Sequence, residues 1–350
     1  FEQDYTVEGF STVVYEGTGA TQYIGGTGFS PDMTWFKVRS TSGNHQLYDT
    51  VRGASSRVVP NATTAESTTS NGFAGWQADG FSLDGGGGGG DANTNGRQYV
   101  AWNWDMGGTT ASNTSGSITS SVRANTAYGQ SIISWTGDGG TGTVGHGLTS
   151  APEFWITKDR ASADNWLTFF TIVDGSLDAA NLNLNNAAGT GSVSLPTSSV
   201  FTNDGYTSSQ NLITYAFHSV TGYSKFGSYS GTGSSNAITT GFAPAFVMIK
   251  RTNRDGDSWA MFDNTRNPIN PVTKALWADT SGAEYVEANA LTFTNTGFTV
   301  NVGYQYLNNA AGTYIYMAFA DTREYAYWYD QSGNNNDWTS EGGLTESDVM

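Results

Sequence analysis

The clearest hydrophobic pattern in this chain is an apolar run that begins at a proline and ends at a lysine. It occurs three times, at residues 31–37 (PDMTWFK), 152–158 (PEFWITK) and 244–250 (PAFVMIK). In the first copy, Met33 and Trp35 alternate with polar residues, which predicts a strand with one buried face. In the third copy, residues 246–249 are continuously apolar, which predicts a strand covered on both faces.

Two further strands accompany each copy of this run. The first precedes it, at residues 12–15, 131–135 and 225–229, and the last follows it, at residues 99–104, 212–217 and 314–319. Because the first and last strands recur together, we expect them to be paired or central strands of one sheet in each repeat. A chain built from three copies of one unit is typically selected for span and surface rather than for one catalytic cleft.

These signals predict an all-β protein of three tandem β-sandwich-like units, each closing a small core of its own. The predicted divisions are unit 1 (residues 1–105), unit 2 (residues 129–219) and unit 3 (residues 220–321). Residues 106–128 are rich in Gly, Ser and Thr and are predicted to be a linker. The sequence changes character at residue 322, so residues 322–350 are predicted to begin a further domain or a tail.

The composition favours strands and tight turns, since 45 of the 350 residues are glycine, 13% are aromatic and only 13% are charged. The net charge of −16 repels phosphate backbones, so nucleic-acid binding is not expected. There is no cysteine, which excludes disulfides and thiolate chemistry. No apolar run reaches the roughly 20 residues of a membrane-spanning helix, so membrane insertion is not expected. The chain starts at Phe1, which indicates a processed product or a segment of a longer protein.

The residue types that usually carry catalysis form no recognisable set here. No serine elbow and no phosphate-binding loop is present. Carboxylate pairs such as Asp79/Asp84 and Asp257/Asp263 leave glycoside hydrolysis open as a less favoured alternative. We expect no enzyme activity, no catalytic residue and no cofactor. Ordinary surface or turn roles are expected for the three histidines, which fall at non-equivalent places in different units: His45, His146 and His218.

Calcium is the metal that the sequence leaves open. Residues 91–95 and 334–337 are rich in Asp and Asn, whose oxygens suit calcium. Neither stretch matches a defined calcium-binding loop. Solvated turns are therefore the favoured interpretation of both.

An acidic and a basic residue recur together in two of the three units, as Asp49 with Arg52 and Asp263 with Arg266. In the aligned part of unit 2, Thr171 and Asp174 take their places. One interpretation is a ligand-binding clamp. The favoured interpretation is a local ion pair that closes the same corner in units 1 and 3.

Each apolar run ends in a lysine: Lys37, Lys158 and Lys250. A charge at the end of an otherwise apolar strand is typical of a sheet edge that must not aggregate. We therefore predict that these three lysines are edge charges. Exposed aromatic rings could instead stack on sugars. Five tryptophans are candidates for that role, although most lie in strand patterns that favour a core position: Trp76, Trp102, Trp104, Trp135 and Trp155.

Several motifs, in order and at matching spacing, resemble a repeat domain of large structural proteins in marine and freshwater tailed phages. They lie at residues 28–39 (GFSPDMTWFKVR), 45–54 (HQLYDTVRGA), 223–231 (YSKFGSYSG) and 241–247 (GFAPAFV). The resemblance covers residues 10–321. Residues 330–339 (DQSGNNNDWT) look like the lead into a concanavalin-like or SPRY-like, lectin-like domain that follows such repeats.

The resemblance implies a virion component such as a tail fibre, spike or head appendage, and it supplies no catalytic residues. It implies a place on the virion surface, outside cells, and a homo-oligomer, with a trimer as one candidate state, beside other virion proteins. The first hypothesis is therefore a non-enzymatic virion structural protein. The second is a carbohydrate-binding adhesin that contacts host-surface glycans, and the third is a polysaccharide depolymerase.

Overall fold

The computed structural model describes residues 9–69, 72–85 and 92–321. Antiparallel strands dominate this part of the chain, and its one helix is α1 (Gln305–Asn308). The predicted all-β fold is confirmed. The strands that fall in unit 1 are β1 (Phe10–Glu16), β2 (Gln22–Ile24), β3 (Met33–Val38), β4 (Gln46–Asp49), β5 (Ser56–Arg57), β6 (Ser67–Thr68), β7 (Phe73–Gln77), β8 (Gly80–Leu83) and β9 (Gln98–Trp104).

Two strands lie in the segment 106–128: β10 (Ala111–Asn113) and β11 (Ser120–Asn125). Those of unit 2 are β12 (Gln130–Thr136), β13 (Thr143–Gly145), β14 (Phe154–Asp159), β15 (Leu167–Phe170), β16 (Asp178–Asn181), β17 (Gly189–Thr190), β18 (Val200–Thr202) and β19 (Asn211–Phe217). Those of unit 3 are β20 (Ser224–Ser230), β21 (Asn236–Thr239), β22 (Phe246–Arg251), β23 (Ala260–Asp263), β24 (Val272–Trp277), β25 (Tyr285–Thr294), β26 (Gly297–Val300) and β27 (Thr313–Phe319).

One four-strand order occurs three times along the chain. It reads β1-β9-β3-β4 in unit 1, β12-β19-β14-β15 in unit 2 and β20-β27-β22-β23 in unit 3. The first and last strands of each unit pair antiparallel over seven residues, as β1 with β9, β12 with β19 and β20 with β27. The expectation that these strands share a sheet is confirmed.

The segment predicted as a linker is part of a sheet. Strand β11 pairs with β12, and β10 pairs with β11, so residues 106–128 extend the main sheet of unit 2. Serine and threonine side chains tolerate an exposed edge strand well, which is why a linker-like composition is compatible with this pairing. Units 1 and 2 are therefore connected through ordered structure.

The central strands of each unit are buried on both faces. In β3, Met33 and Trp35 enter a core shared by all three units, whereas Phe36 and Val38 enter a core of unit 1 alone. Strand β22 repeats this division, with Phe246 in the shared core and Val247 in a core of unit 3. Since successive side chains of a strand point to opposite faces, each central strand separates two cores. The double burial predicted for residues 246–249 is confirmed.

The expectation that each unit closes only its own small core needs correction. Each unit does have such a core, but the largest cluster joins side chains from all three, among them Trp104, Phe217 and Phe319. At the meeting point lies an apolar cavity of about 20 Å³. That volume is close to one water molecule, so the cavity is too small for a substrate. Burial of aromatic area between units is the main force that holds them together.

Candidate functional site

Asp263 and Arg266 form a buried ion pair after strand β23. Arg266 Nε donates to Asp263 Oδ2 at 2.5 Å, the Arg266 backbone N–H donates to Oδ1 at 2.7 Å, and both side chains are fully buried. The remaining partner comes from unit 1, where Trp102 Nε1 donates to Asp263 Oδ2 at 3.0 Å. The Arg266 guanidinium also lies over that indole, 5.6 Å from the ring centroid, as a cation–π contact. The pair is thus a fixed part of the interface between units 3 and 1.

Glu284 connects this ion pair to a second arginine across the same interface. Arg39 of unit 1 donates to both Glu284 carboxylate oxygens, at 2.9 and 3.1 Å, and Arg266 donates to Oε2 at 3.2 Å. The Glu284 backbone N–H donates to the Arg39 carbonyl at 2.9 Å. Burial alone would raise the pKa of Glu284, but hydrogen bonds from Arg39 and the arginine charges outweigh it and lower that pKa. We call this group (Arg39, Trp102, Asp263, Arg266, Glu284) the 3–1 joint.

The same arrangement lies between units 1 and 2. Arg52 Nε donates to Asp49 Oδ2 at 2.6 Å, both side chains are fully buried, and Tyr215 of unit 2 donates its hydroxyl to Asp49 Oδ2 at 2.7 Å. Arg160 of unit 2 donates to both oxygens of Glu66 at 2.8 Å, and Arg52 donates to Oε2 at 3.0 Å. The Glu66 backbone N–H donates to the Arg160 carbonyl at 2.9 Å. These five residues form the 1–2 joint.

The interface between units 2 and 3 has the same backbone contact without the charges. The Ala188 N–H donates to the Thr252 carbonyl at 2.8 Å, in the place of the Glu66–Arg160 and Glu284–Arg39 contacts. Strand register identifies Met317 as the counterpart of Trp102 and Tyr215, because these three pair with Met248, Trp35 and Ile156 respectively. A methionine cannot donate a hydrogen bond to a buried carboxylate, so an Asp–Arg pair would lack its third partner here.

Strand pairing shows that the residues of unit 2 that correspond to the Asp–Arg pair lie one position earlier than the sequence comparison placed them. Asp49 pairs with Met33 and Asp263 pairs with Phe246, and the matching pair in unit 2 is Phe170 with Phe154. The counterparts of the Asp–Arg pair are therefore Phe170 and Val173, not Thr171 and Asp174. Phe170 is fully buried in the shared core, and Val173 packs against it. Asp174 is exposed and accepts hydrogen bonds from Ser176. This 2–3 joint is apolar on both sides.

A third repeated contact places a ring N–H against a carbonyl of the neighbouring unit. Trp166 Nε1 donates to the Val59 carbonyl at 2.9 Å, and Trp259 Nε1 donates to the Asn181 carbonyl at 3.0 Å. In unit 1 the position is His45, whose Nε2 lies 3.0 Å from the Trp277 carbonyl. Unit 1 thus contacts unit 2, unit 2 contacts unit 3, and unit 3 contacts unit 1. The chain closes a ring of three units.

His45 is not a surface residue, contrary to expectation, because the ring closure buries it completely. Its Nδ1 accepts from Trp35 Nε1 at 2.8 Å, so the imidazole is neutral and Nε2 carries the proton. Burial, together with the positive charge of Lys37 and of Arg266, holds the pKa of His45 well below its usual value. His146 is also buried, and burial lowers its pKa to about 4. His218 lies at the limit of burial, with 9% of its surface exposed.

Acid is therefore expected to weaken the contact between units 3 and 1 through His45. Unfolded histidine gains a proton below its ordinary pKa of about 6.5, whereas folded His45 does not, so stability is complete above that pH and falls below it. From pH 7.5 to 5.5, this one residue should cost about 1.4 kcal/mol. We expect His45→Gln, which can accept from Trp35 and donate to Trp277, to show a smaller pH dependence in denaturant titrations. An equal dependence in both proteins would contradict this assignment.

The prediction that the three recurring lysines are edge charges is wrong. Strands β3, β14 and β22 have hydrogen-bonded neighbours on both sides, and each lysine is at most 1% exposed. Every ammonium donates to the carbonyl of the next residue, from Lys37 to Val38 at 2.7 Å, from Lys158 to Asp159 at 2.6 Å and from Lys250 to Arg251 at 2.5 Å. Burial lowers the pKa of Lys37 and Lys250 to about 8 and that of Lys158 in the same direction. Each lysine therefore stabilises the end of its strand. The residue two positions after the lysine contacts the neighbouring unit through its backbone carbonyl.

The other candidates also have structural partners. Trp102, Trp104, Trp135 and Trp155 are buried, so the core interpretation is confirmed for them, and Trp76 is half-buried. Asp79 Oδ1 accepts the N–H of Gly28 at 2.6 Å, which fixes a turn. In the loop 91–95, Asn93 uses its amide on the backbone of Thr18, Ala20 and Asp84. Asp91, residues 330–339 and the rest of 322–350 lie outside the described residues.

Among the described residues, no group of three or more His, Asp or Glu side chains is placed to hold a metal ion. Nor does that part of the chain contain a helix long and apolar enough to cross a membrane. The recurring Asp–Arg pairs have no open face, since all four side chains are fully buried. A ligand clamp needs access, so these residues act as structural joints.

The residues that sequence reasoning missed are the bridging glutamates Glu66 and Glu284 and their partners Arg39 and Arg160. The arginines follow the recurring lysines by two residues, which is a readable signal. The glutamates lie in loops of different length without a shared motif, so nothing local marks them. Together the joints define an all-β, three-unit body whose internal charges serve assembly.

The chain belongs to the family described as a domain of unknown function, DUF7483, whose model matches residues 6–323. Searches of curated proteins and of solved structures gave no match. The family match spans residues of all three units.

Proposed function

We propose that this chain is a non-enzymatic structural component of a tailed-phage particle, such as a tail fibre, spike or head appendage on the virion surface. The observation that carries the proposal is the closed ring of three units. The charged groups that the repeats place together are used at the 3–1 and 1–2 joints, where the Asp–Arg pair of each joint is fully buried. This is the chemistry of a rigid building block rather than of a catalytic cleft.

The resemblance of residues 10–321 to phage structural repeats supports the same proposal. The proposal includes a homo-oligomer, with a trimer as one candidate state. It also includes contact with other virion proteins. The ring already places three similar units around one core within a single chain, so assembly of several chains would use outer surfaces. Mass photometry of the purified chain measures that state directly.

Immunogold electron microscopy tests this proposal. Antibodies against the purified chain would be applied to particles of the phage that encodes it, with particles of an unrelated phage as the control. We expect gold at one defined place on intact particles. Absence of label from particles, with the protein present in the infected-cell lysate, would overturn the proposal. Incubation of the chain with host polysaccharide should release no oligosaccharide, whereas cleavage would favour the depolymerase alternative.

The adhesin alternative receives support from one unit only. If every unit bound sugar, exposed aromatic residues should match between units. Among the described residues, the large exposed aromatics are Tyr285 and Tyr304, and both lie in unit 3. A repeated lectin site is thus not favoured, and any recognition of glycans would belong to a single surface.

A further inference from the structure

Unit 3 carries an aromatic surface whose inner rings, Trp277 and Tyr306, pack against the core of the unit and whose outer rings are exposed. Tyr304 and Tyr306 stack with ring centroids 5.9 Å apart and an interplanar angle of 14°, and Trp277 packs edge-on against Tyr306 at 4.7 Å. Tyr285, 55% exposed, lies on the neighbouring strand β25, as does Glu287. We call these five residues the tyrosine platform. Tyr304 forms its outer layer, with 36% of its surface exposed.

A carboxylate lies among the phenol groups of the platform. The Tyr306 hydroxyl donates to Glu287 Oε2. The negative charge of Glu287 raises the pKa of Tyr304, and burial, followed by the hydrogen bond to Glu287, raises that of Tyr306. Both phenols therefore keep their protons at neutral pH. The surface offers an aromatic face, hydroxyl groups and a carboxylate with free lone pairs side by side.

The platform is held in place by its own backbone before any ligand arrives. Tyr304 and Tyr306 flank the start of helix α1, where Tyr314 donates its hydroxyl to the Gln305 carbonyl at 2.6 Å. Arg251 donates to the Gln305 side chain at 2.7 Å, and Tyr229 donates to the Leu307 carbonyl at 2.5 Å. A rigid site loses little conformational entropy when a ligand binds.

Units 1 and 3 share an asparagine next to the platform but differ in the residues before it. Asn308 Oδ1 accepts the Thr232 N–H at 2.8 Å, and Asn93 Oδ1 in unit 1 accepts the Thr18 N–H at 2.9 Å, so the asparagine is a shared structural residue. Four residues before this asparagine, the sequence has Tyr304 in unit 3 and a glycine in unit 1. Tyr304 is therefore not part of the sequence that units 1 and 3 share at this place.

We propose that the tyrosine platform binds a neutral carbohydrate, with a sugar ring lying on the outer face of Tyr304. Sugar rings have an apolar C–H face that suits an aromatic ring and hydroxyl edges that suit adjacent hydrogen-bonding groups. The hydroxyls of the sugar would donate to Glu287 and to the phenol oxygens of the platform. The net charge of −16 and Glu287 itself disfavour an anionic polysaccharide. For its biological meaning, contact with host-surface glycans, this inference rests on the proposed virion-surface role.

The test is an array of neutral oligosaccharides probed with the whole chain, followed by titration calorimetry on the best ligand. We expect at least one neutral glycan to bind, and Tyr304→Ala to weaken that binding about tenfold because the stacking surface is lost. Tyr306→Phe, which keeps the ring and removes the hydroxyl, should have a smaller effect. The matched control is Ile269→Ala, since Ile269 is 77% exposed in the same unit but outside the platform.

Two outcomes would overturn the inference: no neutral glycan bound by the unaltered chain, or binding unchanged by Tyr304→Ala. Tetramethylammonium provides a third arm, because aromatic groups with a carboxylate can also hold organic cations. Competition by that cation at lower concentration than the sugar would reject a carbohydrate site. If gold labels the particles but no glycan on the array binds, the virion role stands and the carbohydrate site is rejected. If a glycan binds but the particles are not labelled, the carbohydrate site stands and the virion role is rejected.

Discussion

Arg266→Val is expected to lower the free energy of unfolding by about 3 to 5 kcal/mol, because it leaves a buried carboxylate without its charge partner. Asp263 would keep two neutral donors, the Trp102 ring N–H and the backbone N–H of residue 266, and Glu284 would keep only Arg39. The measurement is a denaturant titration followed by tryptophan fluorescence. The matched control is Arg254→Val, since that side chain is 48% exposed and its ion pair is long, at 3.8 Å. We expect the control to change stability by about 0.5 kcal/mol or less.

The 2–3 joint provides a natural template for a rescue. The triple variant Asp263→Phe, Arg266→Val and Trp102→Met gives the 3–1 joint the side chains that units 2 and 3 use at Phe170, Val173 and Met317. Replacement of a complete buried ion pair by apolar side chains is often neutral, so most of the loss should be recovered. A triple variant less stable than Arg266→Val alone would contradict the equivalence of the joints.

Trp166→Ala is the second large effect, with an expected loss of about 3 to 5 kcal/mol from the cavity and the missing apolar contacts. Trp166 is fully buried and reaches from unit 2 to the carbonyls of Val59 and Ala62 in unit 1. Trp166→Phe keeps most of the ring area and removes the N–H, so it isolates the hydrogen bond at about 1 kcal/mol. Tyr285→Ala, at an exposed aromatic, should stay within about 0.5 kcal/mol. A small effect of Trp166→Ala would show that the contact of Trp166 with unit 1 does not contribute to stability.

The sequence predicted the positions of the strands better than the contacts that their side chains make with other units. Recurrence of the apolar runs predicted that the first and last strands of each unit are paired or central strands of one sheet, and the structure pairs β1 with β9, β12 with β19 and β20 with β27. It also predicted double burial of residues 246–249. It did not predict that the second face of each central strand meets the other units, since an apolar pattern does not identify its partner.

The lysines show a specific limit of pattern reading. Lys37, Lys158 and Lys250 have the sequence context of an edge charge, yet each lies in a central strand. A long side chain can bury its methylene groups and return its ammonium to a nearby carbonyl, and the sequence alone does not distinguish this from exposure. Similarly, Glu66 and Glu284 are single acidic residues in loops, and only the folded ring brings them to Arg160 and Arg39.

A cross-link between the two ends of the ring tests its closure most directly. Ser42 Oγ lies 3.5 Å from Ser281 Oγ although the residues are 239 apart in sequence, and the chain has no cysteine of its own. Two side chains in contact are a suitable place to introduce a disulfide, which forms when their Cα atoms lie about 4.4–6.8 Å apart. We predict that oxidised Ser42→Cys/Ser281→Cys is a monomer with one internal disulfide, seen as faster migration on a non-reducing gel and loss of both free thiols. Each single substitution should give no such monomer. Free thiols in the oxidised double variant, or links only between molecules, would contradict the closed ring.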